Sequence, residues 1–139
     1  MRSGSRGIVA VALIASLTVA ACVSPVDPAA GSRLPTHRDL ESYPAALLEA
    51  TLARDGKCLF AVGPDGTERW LPIWPAGFSL VDDVVMKGTE RIAAIGDGVR
   101  LGGGEYPASD YAFVRTLMTA NVAKPCRDGR FWLVSEIVP

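Results

Sequence analysis

The sequence predicts a small, mainly β domain over residues 44–139, arranged as a closed or nearly closed barrel with one helix. Short runs of alternating or β-branched apolar residues are separated by turn signals about every 8–12 residues, which is typical of all-β sandwiches and barrels. One later stretch has apolar residues at helical spacing instead. An open β-sandwich is the alternative arrangement.

The strands are read from the apolar runs and from the turns that separate them. Residues 46–53 alternate like a strand but could also form a helical turn. Asp55-Gly56 follows, and because this dipeptide is a strong hairpin signal, we predict a strand there. Gly63-Pro64-Asp65-Gly66 predicts the next turn, and Gly96-Asp97-Gly98 predicts a hairpin between its flanking strands. The predicted strands are 46–53, 57–62, 67–73, 78–81, 90–95, 99–101 and 131–138.

Residues 110–120 predict the helix. Ser109 is a favourable N-cap, and Asp110 lies in the first turn, where a negative charge suits the helix dipole. Asn121 and Pro125 would end the helix. Its apolar stripe consists of Tyr111, Val114 and Met118, with Phe113 and Leu117 beside them. Short strands with a single helix favour an OB-like barrel.

The first 21 residues have the pattern of an export signal. Arg2 and Arg6 supply positive charge ahead of an apolar run over residues 8–21. A helix of that length rises about 21 Å, short of the roughly 30 Å hydrocarbon core of a bilayer. The pattern therefore predicts a signal peptide over residues 1–21 rather than a spanning helix.

Val19-Ala20-Ala21-Cys22 resembles the lipobox of bacterial lipoproteins. The resemblance implies that Cys22 receives a diacylglyceryl thioether and that a dedicated peptidase cuts just before it. It also implies that the mature protein is anchored on the extracytoplasmic face of the bacterial cell membrane. Two acyl chains hold firmly where a single chain binds only marginally. Ordinary cleavage after Ala21, leaving Cys22 as a free thiol, is the alternative.

The chain has three cysteines, an odd number for an exported protein. Assigning Cys22 to lipid leaves Cys58 and Cys126, which predict a disulfide in an oxidising compartment. Such a bridge would close a loop of more than half of the predicted domain, worth roughly 4 kcal/mol in the chain-entropy model. Two unpaired, buried thiols are the alternative.

Residues 22–43 predict a lipid-anchored, flexible tether. This stretch is rich in proline, glycine, serine and threonine and has little apolar periodicity. A segment of that composition cannot bury enough surface to offset the entropy of ordering it. The single histidine, His37, falls within this predicted tether.

Composition and motifs predict a protein with no enzymatic activity, cofactor or metal. The 14 basic and 15 acidic residues include no basic patch, so nucleic acid is not an expected partner. Asp82 and Asp83 are adjacent acidic residues. Because neighbouring residues on a strand face opposite sides of the sheet, these two would make a poor acid–base pair for catalysis. The glycines around residues 96–104 lack the third glycine of a dinucleotide motif, since Leu101 takes its place. We instead predict that Gly102-Gly103-Gly104 allows close backbone approach or positive φ at a barrel corner.

The segment Trp70-Leu71-Pro72-Ile73-Trp74-Pro75-Ala76-Gly77-Phe78 is the most distinctive in the chain. Its aromatic side chains could fill the core, as aromatics do in small domains. Alternatively, Trp74 and Phe78 could form an exposed platform for a sugar, a peptide or a partner protein. Pro75 and Gly77 favour a loop, which predicts partial exposure of Trp74, whereas Trp70 is predicted to be buried within a strand.

Trp-Pro-x-Gly-Phe, the later Gly-Asp-x-Val-x-Leu-Gly-Gly-Gly and the paired cysteines together resemble small exported bacterial domains without assigned function, over residues 47–134. The resemblance supplies no catalytic residues. We therefore expect a lipid-anchored, non-enzymatic binding module of the cell envelope. The alternative is an accessory or inhibitor protein that acts on an envelope enzyme.

Overall fold

The computed structural model describes residues 34–120 and 122–139. The predicted signal peptide, Cys22 and the predicted tether up to residue 33 lie outside the described residues. Within the described ranges, one short α-helix, α1 (Tyr111–Leu117), accompanies the strands. The strands are β1 (Thr36–His37), β2 (Ala46–Asp55), β3 (Cys58–Val62), β4 (Arg69–Pro75), β5 (Phe78–Val81), β6 (Val84–Lys87), β7 (Glu90–Ala94), β8 (Gly98–Tyr106) and β9 (Arg130–Ile137).

Five strands close into a barrel, which confirms the predicted OB-like class. β2 pairs antiparallel with β3 and β8, and β3 pairs antiparallel with β4. β9 pairs antiparallel with β8 and parallel with β4, which closes the ring in the order β2-β3-β4-β9-β8. Because the barrel is closed, each of these five strands pairs with a neighbouring strand on both sides.

A second, three-stranded sheet of β5, β6 and β7 lies between the third and fourth barrel strands in the chain. The sequence did not predict β6, because Asp82-Asp83 does not look like a turn. Both aspartates nevertheless adopt positive φ, 48° and 64°, and form a two-residue hairpin loop. The predicted hairpin across residues 96–98 is wrong: β7 pairs with β6, and β8 joins the barrel.

The core has two parts, on opposite faces of the barrel wall. The interior cluster takes residues from all five barrel strands, together with Leu34, Val85 and Ala93. Val85 and Ala93 come from the small sheet, which therefore caps an end of the barrel. The outer cluster lies where α1 and the 122–126 segment cover β3, β4 and β9. β4 is buried on both faces for this reason.

The helix is shorter than predicted. α1 ends at Leu117, and Met118 is extended and forms a β-bridge with His37. Ser109 does not cap the helix, because it lies inside a preceding 3₁₀ turn over Ala108–Asp110. Val114 and Leu117 are buried as the stripe predicted, but Phe113 is 52% exposed.

Residues 34–43, predicted as part of the tether, belong to the folded domain. Thr36 and His37 pair in parallel with the end of β4, and Leu34 is buried in the interior cluster. The His37 side chain is completely buried, with Nε2 2.7 Å from the carbonyl oxygen of Val134. The composition of residues 34–43 does not indicate that they belong to the domain. They are held by backbone pairing and by single side chains that pack on strands far away in the chain.

The predicted cysteine pair lies at disulfide distance. The Sγ atoms of Cys58 and Cys126 are 2.03 Å apart, with Cα atoms 5.5 Å apart. Cys58 begins β3 and Cys126 lies in the segment that covers the outer cluster. The pair therefore fastens this covering segment to the barrel wall.

Candidate functional site

Trp74 is part of the core, so the predicted platform is wrong at this residue. Its side chain is 0% exposed and packs in the interior cluster with Leu34, Val85 and Ala93. Trp74 lies near the end of β4, where the small sheet covers the barrel. β1 pairs with β4 at the same place. β4 continues through Pro75, and the predicted loop is only the two-residue turn Ala76-Gly77.

Trp70 is buried, as predicted. It is 6% exposed, and its Nε1 donates a hydrogen bond of 2.8 Å to Glu105. The Arg130 guanidinium lies 4.7 Å from its ring and pairs with Glu68 at 3.0 Å. These polar groups satisfy one another, so this aromatic site is structural.

Phe78 is the part of the predicted platform that reaches the surface. Its half-buried ring stacks on Trp74, with ring centroids 5.7 Å apart. It borders a cleft of about 570 Å³ between the small sheet and the end of β9. The cleft is lined by Asp39, Pro75, Ala76, Phe78, Lys87, Glu90, Arg91, Ile92, Ser135, Glu136, Ile137 and Pro139.

The cleft carries charges that are free to meet a ligand. Asp39, Glu90 and Glu136 are exposed, and within residues 34–120 and 122–139 none of them forms an ion pair. Arg91 is already paired with Asp97 at 3.2 Å. Lys87 lies over the Phe78 ring, 5.9 Å from its centroid. The lining therefore mixes apolar side chains with charged ones, and three of those charged side chains are acidic and unpaired among the described residues.

Gly96-Asp97-Gly98 forms the corner that positions the small sheet beside the barrel. The N–H of Gly96 donates to the carbonyl of Leu52 at 2.7 Å, and the N–H of Leu52 donates to the carbonyl of Asp97 at 3.0 Å. The Asp97 carboxylate accepts a 2.8 Å hydrogen bond from the N–H of Ala94. This bond, with a smaller contribution from Arg91, lowers the pKa of Asp97.

Asp97 should make stability depend on pH in the acid range. Because folding lowers its pKa, the carboxylate stabilises the fold above about pH 4 and loses that effect as the pH falls through the depressed value. Asp97→Asn should therefore lower the urea midpoint at pH 7, and its difference from wild type should shrink at pH 3. An equal difference at both pH values would contradict this role. Asp128→Asn, an exposed carboxylate without an ion pair in the described chain, is the control.

Other hollows are less suited to a ligand. The cavity beside Cys58 and Cys126 is about 30 Å³, room for about one water molecule. A hollow of about 640 Å³, whose lining is more polar than that of the cleft, runs along residues 38–44 towards Tyr106 and Phe113. Across the described ranges, no three His, Cys, Asp or Glu side chains converge as metal ligands would. Those ranges also hold no helix with the length and apolar character needed to cross a bilayer.

No family model, curated protein or solved structure matches the chain. The resemblances to a lipobox and to small exported domains therefore stay predictions. The cleft itself had only a partial signal in the sequence, at Phe78. Asp39, Glu90 and Glu136 come from three distant parts of the chain, and no spacing rule links them.

Proposed function

We propose that this chain is an exported bacterial lipoprotein, anchored through lipid on Cys22, whose barrel domain binds a partner outside the membrane without catalysis. The observation that carries the binding role is the cleft, where unpaired charges and an aromatic side chain surround a ligand-sized volume. A concave site that combines apolar and aromatic side chains with a few polar groups is the usual form of a binding site.

The position of the described domain supports the same proposal. The described part of the chain begins at Leu34, which is buried in the interior cluster. The residues between Cys22 and Leu34 can span at most about 40 Å even when fully extended. An anchored domain would therefore keep its cleft within reach of molecules at the membrane surface.

Site-specific photo-cross-linking in intact cells tests the binding role. A photoreactive amino acid replacing Glu90 in the cleft should yield one discrete adduct, and the same residue replacing Asp128 should not. Mass spectrometry of the adduct identifies the captured molecule as peptide or saccharide. An envelope enzyme in the adduct would favour the accessory or inhibitor role. Equal adducts at both positions, or none at either, would contradict binding through the cleft.

A further inference from the structure

His37 has a completely buried side chain, and both of its ring nitrogens meet backbone carbonyl oxygens. Its Nε2 lies 2.7 Å from the carbonyl oxygen of Val134 on β9, and its Nδ1 lies 2.7 Å from the carbonyl oxygen of Arg38. A carbonyl oxygen can only accept a hydrogen bond, so each contact requires an N–H on the ring. A neutral imidazole has one N–H, whereas an imidazolium has two. Only the imidazolium form of His37 therefore satisfies both contacts.

The lengths of the two contacts agree with a charged donor. Hydrogen bonds from a charged nitrogen are about 2.7–2.9 Å long, whereas those from a neutral N–H are most often about 2.9–3.0 Å long. A neutral ring would turn the lone pair of one nitrogen towards a carbonyl oxygen 2.7 Å away, which is repulsive. Turning the ring over would place C–H groups at these positions, and C–H···O contacts need about 3.3–3.6 Å between carbon and oxygen.

No carboxylate shares the charge of His37, since the described residues include no ion pair to its ring. The Tyr43 ring faces it, with centroids 5.6 Å apart. Its contacts on β9, on β4 and after α1 are Val134, Pro75 and Met118, which carry no charge. The charged residues nearest to these contacts along the chain are all exposed: Arg38, Asp39, Arg115 and Glu136. The two carbonyl groups therefore stabilise the buried charge.

Residues 34–43, which we call the N-terminal strap, are held between β4 and the chain that follows α1. The N–H of Trp74 donates to the carbonyl of Pro35 at 2.8 Å, and the N–H of Thr119 donates to the carbonyl of Thr36 at 2.8 Å. His37 adds a contact to a third element, β9. After His37 the strap has no buried side chain, so this residue is its last buried side-chain attachment before β2.

We propose that His37 is a pH-sensitive clamp: its imidazolium form holds the N-terminal strap against β9, and loss of one ring proton frees the strap. Because the docked strap binds a proton that the neutral ring lacks, docking is strongest at acid pH and weakens as the pH rises. Release would lengthen the connection between Cys22 and the barrel by ten residues, at most about 35 Å. This effect on reach rests on the proposed lipid anchor, whereas the clamp does not.

Nuclear magnetic resonance of the full chain in detergent micelles tests the clamp directly. His37 is the only histidine in the chain, so histidine labelled with ¹⁵N in the ring gives signals from this side chain alone. A titration from about pH 5.5 to about pH 8.5 covers the range in which a free imidazole loses its proton. The docked strap should show two protonated ring nitrogens, and one proton should be lost together with docking. A docked strap with one bare ring nitrogen, or no change over this range, would overturn the proposal.

Amide hydrogen exchange of the same sample reports docking of the strap. The N–H groups of Arg38 and Thr119 are hydrogen-bonded between the strap and the chain after α1. Their protection, corrected for the intrinsic pH dependence of exchange, should fall by about tenfold as the pH rises through this range. The N–H of Leu52, which donates to the carbonyl of Asp97 at 3.0 Å, is the internal control and should keep its protection.

His37→Gln separates the clamp from ordinary packing. Glutamine can donate to the Val134 carbonyl but cannot gain a proton in this range. Protection of the Arg38 N–H at about pH 5.5 should fall by about tenfold and become independent of pH. Asp128→Asn should keep the wild-type profile. Palmitate labelling tests the lipid anchor separately, so either proposal can fail alone. A His37→Gln chain that keeps the wild-type pH dependence would show that another group is the switch.

Discussion

Gly103→Ala should prevent the barrel from closing. Gly103 has φ of +147°, and an added Cβ would fall 1.8 Å from the carbonyl oxygen of Leu133 on β9. The clash is with backbone, at the irregularity between Gly102 and Gly103 where β8 meets β9. A positive φ of this kind costs a non-glycine residue about 1–3 kcal/mol before any clash is counted. We expect a loss above about 3 kcal/mol, a large share of a small domain's stability.

Gly98→Ala is the matched control on the same strand. An added Cβ at Gly98 meets nothing within 4 Å. Its effect should stay within about 0.5 kcal/mol, as for most surface substitutions. Urea unfolding monitored by far-ultraviolet circular dichroism compares the two variants. Similar midpoints for both would show that the close approach of β8 and β9 is not needed for the fold.

Trp74→Ala should have the second large effect, a loss of about 3–5 kcal/mol. Its indole is completely buried, and the Phe78 ring stacks on it. Removing it would leave a cavity between the barrel interior and the small sheet. Circular dichroism is the appropriate readout, because the substitution removes a fluorescent tryptophan. A loss below about 1 kcal/mol would contradict the buried position.

Two variants bracket this effect. Phe113 is 52% exposed, so Phe113→Ala should change stability by about 0.5 kcal/mol. Trp74→Phe keeps an aromatic ring against Phe78, and Trp74 Nε1 has no hydrogen-bond partner among the described residues. Its cost should therefore fall well below that of alanine. A cost as large as that of Trp74→Ala would contradict the claim that ring packing against Phe78 carries the effect.

The fold could be predicted where local signals agree with the long-range arrangement. Alternating or β-branched apolar residues predict six of the nine strands in the described part of the chain near their observed bounds. The glycine triplet is confirmed as a site of close approach. β6 could not be predicted, because its turn uses two aspartates at positive φ. The β7–β8 hairpin was wrong, because the corner at Asp97 is held by Leu52, a residue far away in the chain.

The candidate site could be predicted only in part. The proline and glycine after Trp74 predict only the local backbone conformation. Whether Trp74 is buried depends on packing against Leu34 and the small sheet. The prediction that His37 lies in the tether is wrong, because its partner, the Val134 carbonyl, is a backbone group that no sequence pattern reveals. The cleft arises from tertiary contacts between segments that are distant in the sequence.

Incorporation of radiolabelled palmitate in a bacterial host tests the central claim, that Cys22 anchors this protein to the membrane. The wild-type chain should carry the label and sediment with membranes, since two acyl chains give a stable attachment. Cys22→Ser should lose both properties, whereas a chain with both Cys58→Ser and Cys126→Ser should keep the label. Label that persists on Cys22→Ser, or a wild-type chain without label, would contradict the account.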